Sequence, residues 1–489
     1  MAATADTPLD RSGTQWAPFI EWALDNPTYE GNPYDLPATA TFVHAGSGET
    51  RTTGMYYDGH DTWRFRFTGT RTGTWTFSTS SPDPDLDGRQ GKLSVGPNPN
   101  PNATGFVTGR GNKWARPTGE HGALRAFVPQ LLMYTAPKLF HGHPEKVDAD
   151  IQTFLVEHGF NGFHVTGDCH WFDIDTQASN EIDSDDPNPD PRTFEALDML
   201  ITKVHAAGGM VHLWAWGDDA RHWTPCRWGK NGKVDQRLQR YIAARLGPLP
   251  GWTMGYGFDN FEWVNEEDLR GWHDYLHRHF GWPHLLGARG PTNDFAQIYD
   301  GLDYWSYEQH RPDYRKYVET IELRPDKPSF SEDRFRIRQN DHYAFKDYDM
   351  EMTRRGLWHS TMAGGVANIW GCLEGQPAEL GSRIYPNPEW IKTWSLFFER
   401  RFVADMTRDE TVSDGVCLKR PTKAHYVFYK EDTDSIALDL REMDGSQHAV
   451  AVDTMKAYKE IELGPLAPEK QTWNAPCRSD WAIAIGKFE

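Results

Sequence analysis

Cysteine is scarce in these 489 residues: five in all, an odd number with no CxxC pair, so neither a disulfide framework nor a cysteine zinc knuckle is built in. Basic charge is also short. Lys and Arg number 51 against 70 Asp and Glu, giving a net charge of −19, which argues against a phosphate-backbone partner such as nucleic acid. No apolar run reaches the roughly 18 residues that a membrane span needs, and "MAATADTPLDRSGTQW" has no basic segment leading into an apolar one. With no membrane partner expected and reduced thiols, the expectation is a soluble, cytoplasmic chain; a secreted protein whose signal peptide has been removed is the alternative. Gly-rich phosphate loops of the GxGxxG or GxxxxGK[ST] type are missing after the first strand of the central region, which weakens a nucleotide-binding reading.

Aromatics are plentiful, with 21 Trp, 19 Tyr and 25 Phe. Core packing takes many of them, and those beside acids at strand ends carry the information. Residues 14–97 alternate polar with apolar or β-branched side chains, as in "ATATFVHAG", "TWRFRFTGT" and "GTWTFSTSS". Turns such as "PDLDG" separate these runs, so the pattern predicts a β-sandwich. "GPNPNPNATG" at 96–105 reads as a linker.

From about residue 120, apolar strands alternate with amphipathic helices. The strands are "ALRAFVPQLLMY", "FNGFHVTGD", "MVHLWAWGDD", "WTMGYGFD", "HLLGARG", "GLDYWSYEQH", "KPSFSEDRF" and "GVANIWG". Eight strands with intervening helices predict an α/β fold, a (β/α)8 TIM barrel, with a doubly wound sheet as the alternative. Short alternating strands return after about 400. The expected domains are an N-terminal β-sandwich at 1–105, a catalytic barrel at 106–398 and a C-terminal β-sandwich at 399–489.

In such a barrel the chemistry sits where strands end and loops begin. Asp168 and His170 close the second strand, Asp218 and Asp219 the third, and Asp259 the fourth, with Glu262 three residues on. Tyr307, Glu308 and His310 close the sixth strand, Glu332 and Asp333 the seventh, and Trp370 the eighth. Paired carboxyl groups flanked by aromatic faces suit glycosidic bond hydrolysis: one protonates the leaving oxygen, and the other attacks the anomeric carbon or activates water. Strands 4 and 7 lie on opposite sides of the mouth, which makes Glu332 the candidate nucleophile and Asp259 the candidate acid. Asp333, beside Arg334 and Arg336, reads as an arginine partner. Trp171, Trp214, Trp305 and Trp370 are candidates for stacking on sugar rings, and Asp168, His170, Asp219, Tyr307 and Glu308 for binding hydroxyls. A metal reading through Asp168, His170 and His212 stays open as a rival, as does a non-catalytic carbohydrate binder. No metal or other cofactor is expected.

Residues 53–95, "TGMYYDGHDTWRFRFTGTRTGTWTFSTSSPDPDLDGRQGKLSV", resemble the N-terminal β-sandwich of uncharacterised function that precedes the barrel in many clan A glycoside hydrolases. The likeness covers most of the chain in architecture, and in residues only the first domain and strands 4 and 7. It implies a glutamate nucleophile at the end of strand 7, which "PSFSEDR" supplies as Glu332, and a glutamate acid/base at the end of strand 4. There "MGYGFDNFEW" departs, with Asp259 where the family has Glu, so Glu262 remains an alternative acid. The expected substrate is an oligosaccharide, cleaved with retention by an exo-acting enzyme whose "DDARHWTPCRWGKNGK" segment walls off one end of the cleft. Self-association through the β-sandwiches is the oligomeric expectation.

Overall fold

The computed structural model describes residues 9–176, 178–290, 297–335, 347–371 and 385–488, with the side chains of Asp218, Asp219 and Arg334 outside the description. Near the N-terminus a five-stranded and a three-stranded sheet face each other. Their alternating sequence puts one side of each strand inward: in Gly73–Ser80 every second residue from Trp75 is buried. Between the sheets, Trp22 stacks on Phe65 at 5.1 Å and meets Phe42 and Phe77.

The central sheet is the expected barrel. Its eight parallel strands are β1 (Gln130–Met133), β2 (Gly162–Thr166), β3 (Met210–Trp216), β4 (Trp252–Gly257), β5 (Leu286–Gly287), β6 (Trp305–Tyr307), β7 (Ser329–Phe335) and β8 (Ala367–Trp370). Hydrogen-bonded neighbours run β5-β4-β3-β2-β1-β8-β7-β6. β3 is buried at every position, as a strand between a packed interior and an outer helix layer must be. Between β5 and β6 the described residues show isolated bonds, Asp303 N–H to the Leu286 carbonyl (2.9 Å) and Gly290 N–H to the Ser306 carbonyl (3.2 Å), in place of a ladder. Helices Pro191–Ala206, Glu266–His279, Tyr314–Leu323 and Met350–Met362 start on side-chain caps from Asp190, Asn265, Asp313 and Asp349.

Two elements differ from the sequence expectation. "ALRAFVPQLLMY" is two strands: Ala123–Phe127 joins an antiparallel three-stranded sheet with Thr108–Arg110 and Lys113–Thr118, and only Gln130–Met133 enters the barrel. Pro129 lies between them, with no N–H to carry a ladder on. The small sheet floors the barrel, where Trp114 Nε1 donates to the Ser329 carbonyl (2.9 Å) and its ring meets Tyr304 and Phe330. The first of the amphipathic helices expected between strands, over "EKVDADIQTFLVEHG", is α-helical at Pro144–Asp150 and widens to a π-helix at Ile151–His158.

The C-terminal module is one six-stranded antiparallel sheet. Its two long strands, Tyr426–Asp439 and Lys470–Ile485, shift register on either side of Thr433. It rests on helix Met350–Met362, where Trp358 stacks on Tyr429 at 5.1 Å. Among the described residues no helix is long and apolar enough to cross a membrane.

Candidate active site

Strand alternation aims Phe330 and Glu332, two residues apart on β7, into the barrel. Glu332 is completely buried. Its Oε1 accepts from Trp214 Nε1 at 2.6 Å and lies 3.5 Å from the Tyr304 hydroxyl, while Oε2 accepts from Ser306 Oγ. His212 Nε2 stands 3.2 Å from Oε1, and its Nδ1 is 2.9 Å from His164 Nδ1. A proton donated by His164 Nδ1 leaves His212 with Nε2–H toward Glu332, so one neutral tautomer of each ring satisfies both contacts. Burial, with Glu332 alongside, holds the Tyr304 hydroxyl far above the ordinary tyrosine range and keeps it a donor. A Cβ on Gly255 of β4 would overlap Glu332 Oε1, so the bare backbone there makes room for the carboxylate.

Above this buried acid lies a ring of charge. Asp259 follows β4 with a left-handed backbone (φ +51°), as Asp168 does after β2 (φ +49°); Asp tolerates this conformation better than most residues, and it turns each side chain out of line with its strand. Arg289, at the end of β5, bonds Asp259 and lies 3.4 Å from Asp333 and 4.0 Å from Glu308. Burial works against its charge, but Asp333, Glu308, Asp259 and Glu332 outweigh that and hold the guanidinium above the usual arginine range. Arg221, from the segment after β3, pairs with Glu262 and stands 3.6 Å from Asp259. His310 Nδ1 lies between Glu308 (3.2 Å) and Asp333 (3.3 Å). Burial lowers its pKa, and the two carboxylates more than reverse that.

The structure thus brings Glu332, Asp259, Glu262 and Glu308 to one end of the barrel, and the aromatic expectations need correction. Trp171 is buried among outer core residues, packed on Phe194 with Nε1 donating to the Ala215 carbonyl (2.7 Å). Trp305 and Tyr307 alternate with Ser306 along β6, so they point outward into a cluster with Tyr317 and Val366. Tyr307 gives its hydroxyl to Gln309. Trp370 donates to Gln130 and packs against Phe335. None of these four offers a face to the mouth. Trp214 is fully buried too, and its place is beneath Glu332 as a donor rather than against a sugar.

Asp168 and His170 sit half-buried after β2, with His170 Nδ1 3.2 Å from the Ile174 carbonyl and its pKa lowered mainly by burial. The side chain of Asp219 lies outside the described residues, as do Arg336 and Cys372. Asp333 takes Arg289 and His310 as partners, which lie beyond its sequence neighbours. Arg289, Arg221, Tyr304 and Ser306 went unnoticed in the sequence. Counting inward positions along "LDYWSYE" singles out Tyr304 and Ser306, and Arg289 was readable as the residue ending "HLLGAR".

Two trios of metal-ligating side chains converge within 4.8 Å among the described residues: Glu308, His310 and Asp333 at the rim, and His273, His277 and Asp303 elsewhere. Neither is the Asp168, His170 and His212 set. At the rim, the Arg289 guanidinium already places positive charge among the carboxylates.

Residues 13–82 match the model of a family described as a domain of unknown function (DUF5060). No curated protein matches the chain. Among solved structures, a presumed glycoside hydrolase from Bacteroides vulgatus ATCC 8482 superposes with a TM-score of 0.74 at 17% identity, covering 98% of this chain and 99% of its own. A glycoside hydrolase family 5 protein from the same organism superposes at 0.57 with 12% identity, covering 79% of this chain and 94% of its own. A further structure, named only as a glycoside hydrolase, gives 0.57 at 11% identity, over 79% and 97%. At such identities the likeness carries the fold: a parallel barrel flanked by β modules, shared with glycoside hydrolases.

Proposed function

We propose that the chain is a glycoside hydrolase acting on an oligosaccharide, with Glu332 as nucleophile and Asp259 as acid/base. One observation carries the reading: a glutamate within β7, buried in the barrel interior, is oriented by Trp214, Ser306 and Tyr304, with a ring of acids around Arg289 above it. Fixed donors on a buried carboxylate preorganise it for attack on an anomeric carbon, and the covalent glycosyl intermediate is then released by water under base assistance from the residue that first acted as acid. Asp259 is preferred over Glu262 because Arg289 ties it to the same ring as Asp333 and Glu308, while Glu262 is held farther out by Arg221. Glu332 is wholly covered, so side chains over it must shift before a sugar reaches it.

Ring stacking then falls to Trp223 and Phe261, two exposed aromatics that flank the Arg221–Glu262 pair in sequence. Because Arg221 carries the segment after β3 over to the acids following β4, that side of the mouth is walled, which favours exo action on short chains. The described cysteines are all free thiols, in keeping with a reducing compartment such as the cytoplasm. Glu332→Gln is expected to retain the wild-type fold by circular dichroism and to lose about 10³-fold or more in kcat/KM on whichever oligosaccharide of a broad panel the wild type cleaves. Near-normal turnover in that variant would remove the assignment.

A further inference from the structure

The second trio lies at the other end of the barrel. His273 and His277 are one turn apart near the end of helix Glu266–His279, which places both rings on one face. Asp303 immediately precedes the β6 region, and its backbone N–H bonds the Leu286 carbonyl while its Oδ2 accepts from Leu286 N–H at 2.8 Å. This is the gap between β5 and β6 where the described barrel has no ladder. Asp303 is the latch across it.

His273 Nε2 lies 3.3 Å from Asp303 Oδ1 and His277 Nε2 lies 2.8 Å from Oδ2. Two ligands of one tetrahedral ion with bonds of about 2.0–2.1 Å stand roughly 3.3 Å apart, the spacing of the His273 contact, while the His277 contact is a direct hydrogen bond that an ion would open by about 0.5 Å. His273 has a carboxylate on each nitrogen, Asp303 at Nε2 and Asp274 at Nδ1 (3.4 Å). That pattern fits an imidazole bound to metal through Nε2 while its Nδ1–H donates to an outer carboxylate. All three side chains are partly exposed, which leaves an entry path and room for water as further ligand.

We propose that His273, His277 and Asp303 form a structural site for a borderline divalent cation of the zinc class, which staples helix Glu266–His279 to the β5–β6 seam of the barrel. Two imidazoles and a carboxylate select zinc-like ions over magnesium or calcium, which prefer all-oxygen shells. The site lies at the N-terminal ends of β5 and β6, the face of such barrels that serves stability, so it is separate from the chemistry proposed above and does not depend on it.

Equilibrium dialysis of the full chain against Zn²⁺, after chelator treatment, should give one ion per chain and a raised thermal midpoint, with no comparable effect of Mg²⁺. Zinc-edge X-ray absorption of that wild-type complex should show imidazole and oxygen ligands and no sulfur. The paired substitution His273→Gln and His277→Gln should weaken Zn²⁺ binding at least about tenfold, while His310→Gln leaves it unchanged. No stoichiometric Zn²⁺ on the wild type, sulfur ligation, binding that survives the paired substitution, or binding lost in His310→Gln would each overturn the proposal.

Discussion

Glu332 depends on neighbours that do different jobs: Trp214 and Ser306 each fix one oxygen, and Gly255 leaves space. Replacing Trp214 by Phe keeps an aromatic ring but removes the N–H and part of the indole volume, so a buried carboxylate loses its 2.6 Å donor and a small cavity opens beside it. The expected cost is about 1–3 kcal/mol of stability, read from urea unfolding, together with lower kcat; an unchanged midpoint would show that Glu332 does not rely on that bond. At this scale the sequence singled out Glu332 and Asp259 because both follow directly on apolar runs, yet Glu332 does not close its strand as expected: β7 runs on past it to Phe335. It told less about aromatics. Trp305 and Ser306 are adjacent, and only the strand's alternation, fixed by the β7 ladder, decides which of them looks inward.

β4 is the element on which the site turns, with Gly255 beside Glu332 and Asp259 just past its end. Gly255→Ala places a methyl group where Glu332 Oε1 now lies, so the carboxylate must move. Activity should fall by about 10²-fold while circular dichroism stays native; full activity would mean that the carboxylate's present position is irrelevant. The register shift between Ser331 and Arg334 on β7 belongs to the same level: it inserts Glu332 and Asp333 between two paired stretches, aiming one into the barrel and the other toward Arg289. The order of strands and helices was legible because buried parallel strands read as apolar runs between amphipathic helices. The floor sheet was not, since Ala123–Phe127 and Gln130–Met133 together look like one strand until Pro129 is given its weight.

Across the whole molecule, the N-terminal sheets are clamped to the barrel through Arg66, which is buried and bonds Glu21, Asp198 through two 2.9 Å contacts, and the Arg245 carbonyl. Arg66→Met removes a shared guanidinium from two carboxylates that keep Arg64 and Arg245 as partners, and a loss of about 1–3 kcal/mol is expected in chemical unfolding; no measurable change would make the clamp incidental. Burial pushes His205 and His284 down to about 4, against backbone carbonyl contacts that favour their charge. The unfolded chain therefore takes up protons at these two sites, from about 6.5 downward, that the folded chain refuses. Their contribution is complete above pH 6.5 and is lost as pH falls toward 4, at roughly 1.4 kcal/mol per pH unit for each full proton. Asp235, raised to about 6 by burial, stabilises in the opposite sense and offsets about one histidine between pH 4 and 6. Thermal midpoints should thus drop most steeply at about pH 5.5–6, and a midpoint that rises on acidification across that range would contradict this. The division of labour between Glu332 and Asp259 is tested most directly by azide rescue of Glu332→Ala on a cleaved aryl glycoside, with the product identified by NMR. The account predicts restored turnover and a glycosyl azide of inverted anomeric configuration. Undiminished hydrolysis by that variant without azide, or rescue seen only in Asp259→Ala, would contradict it.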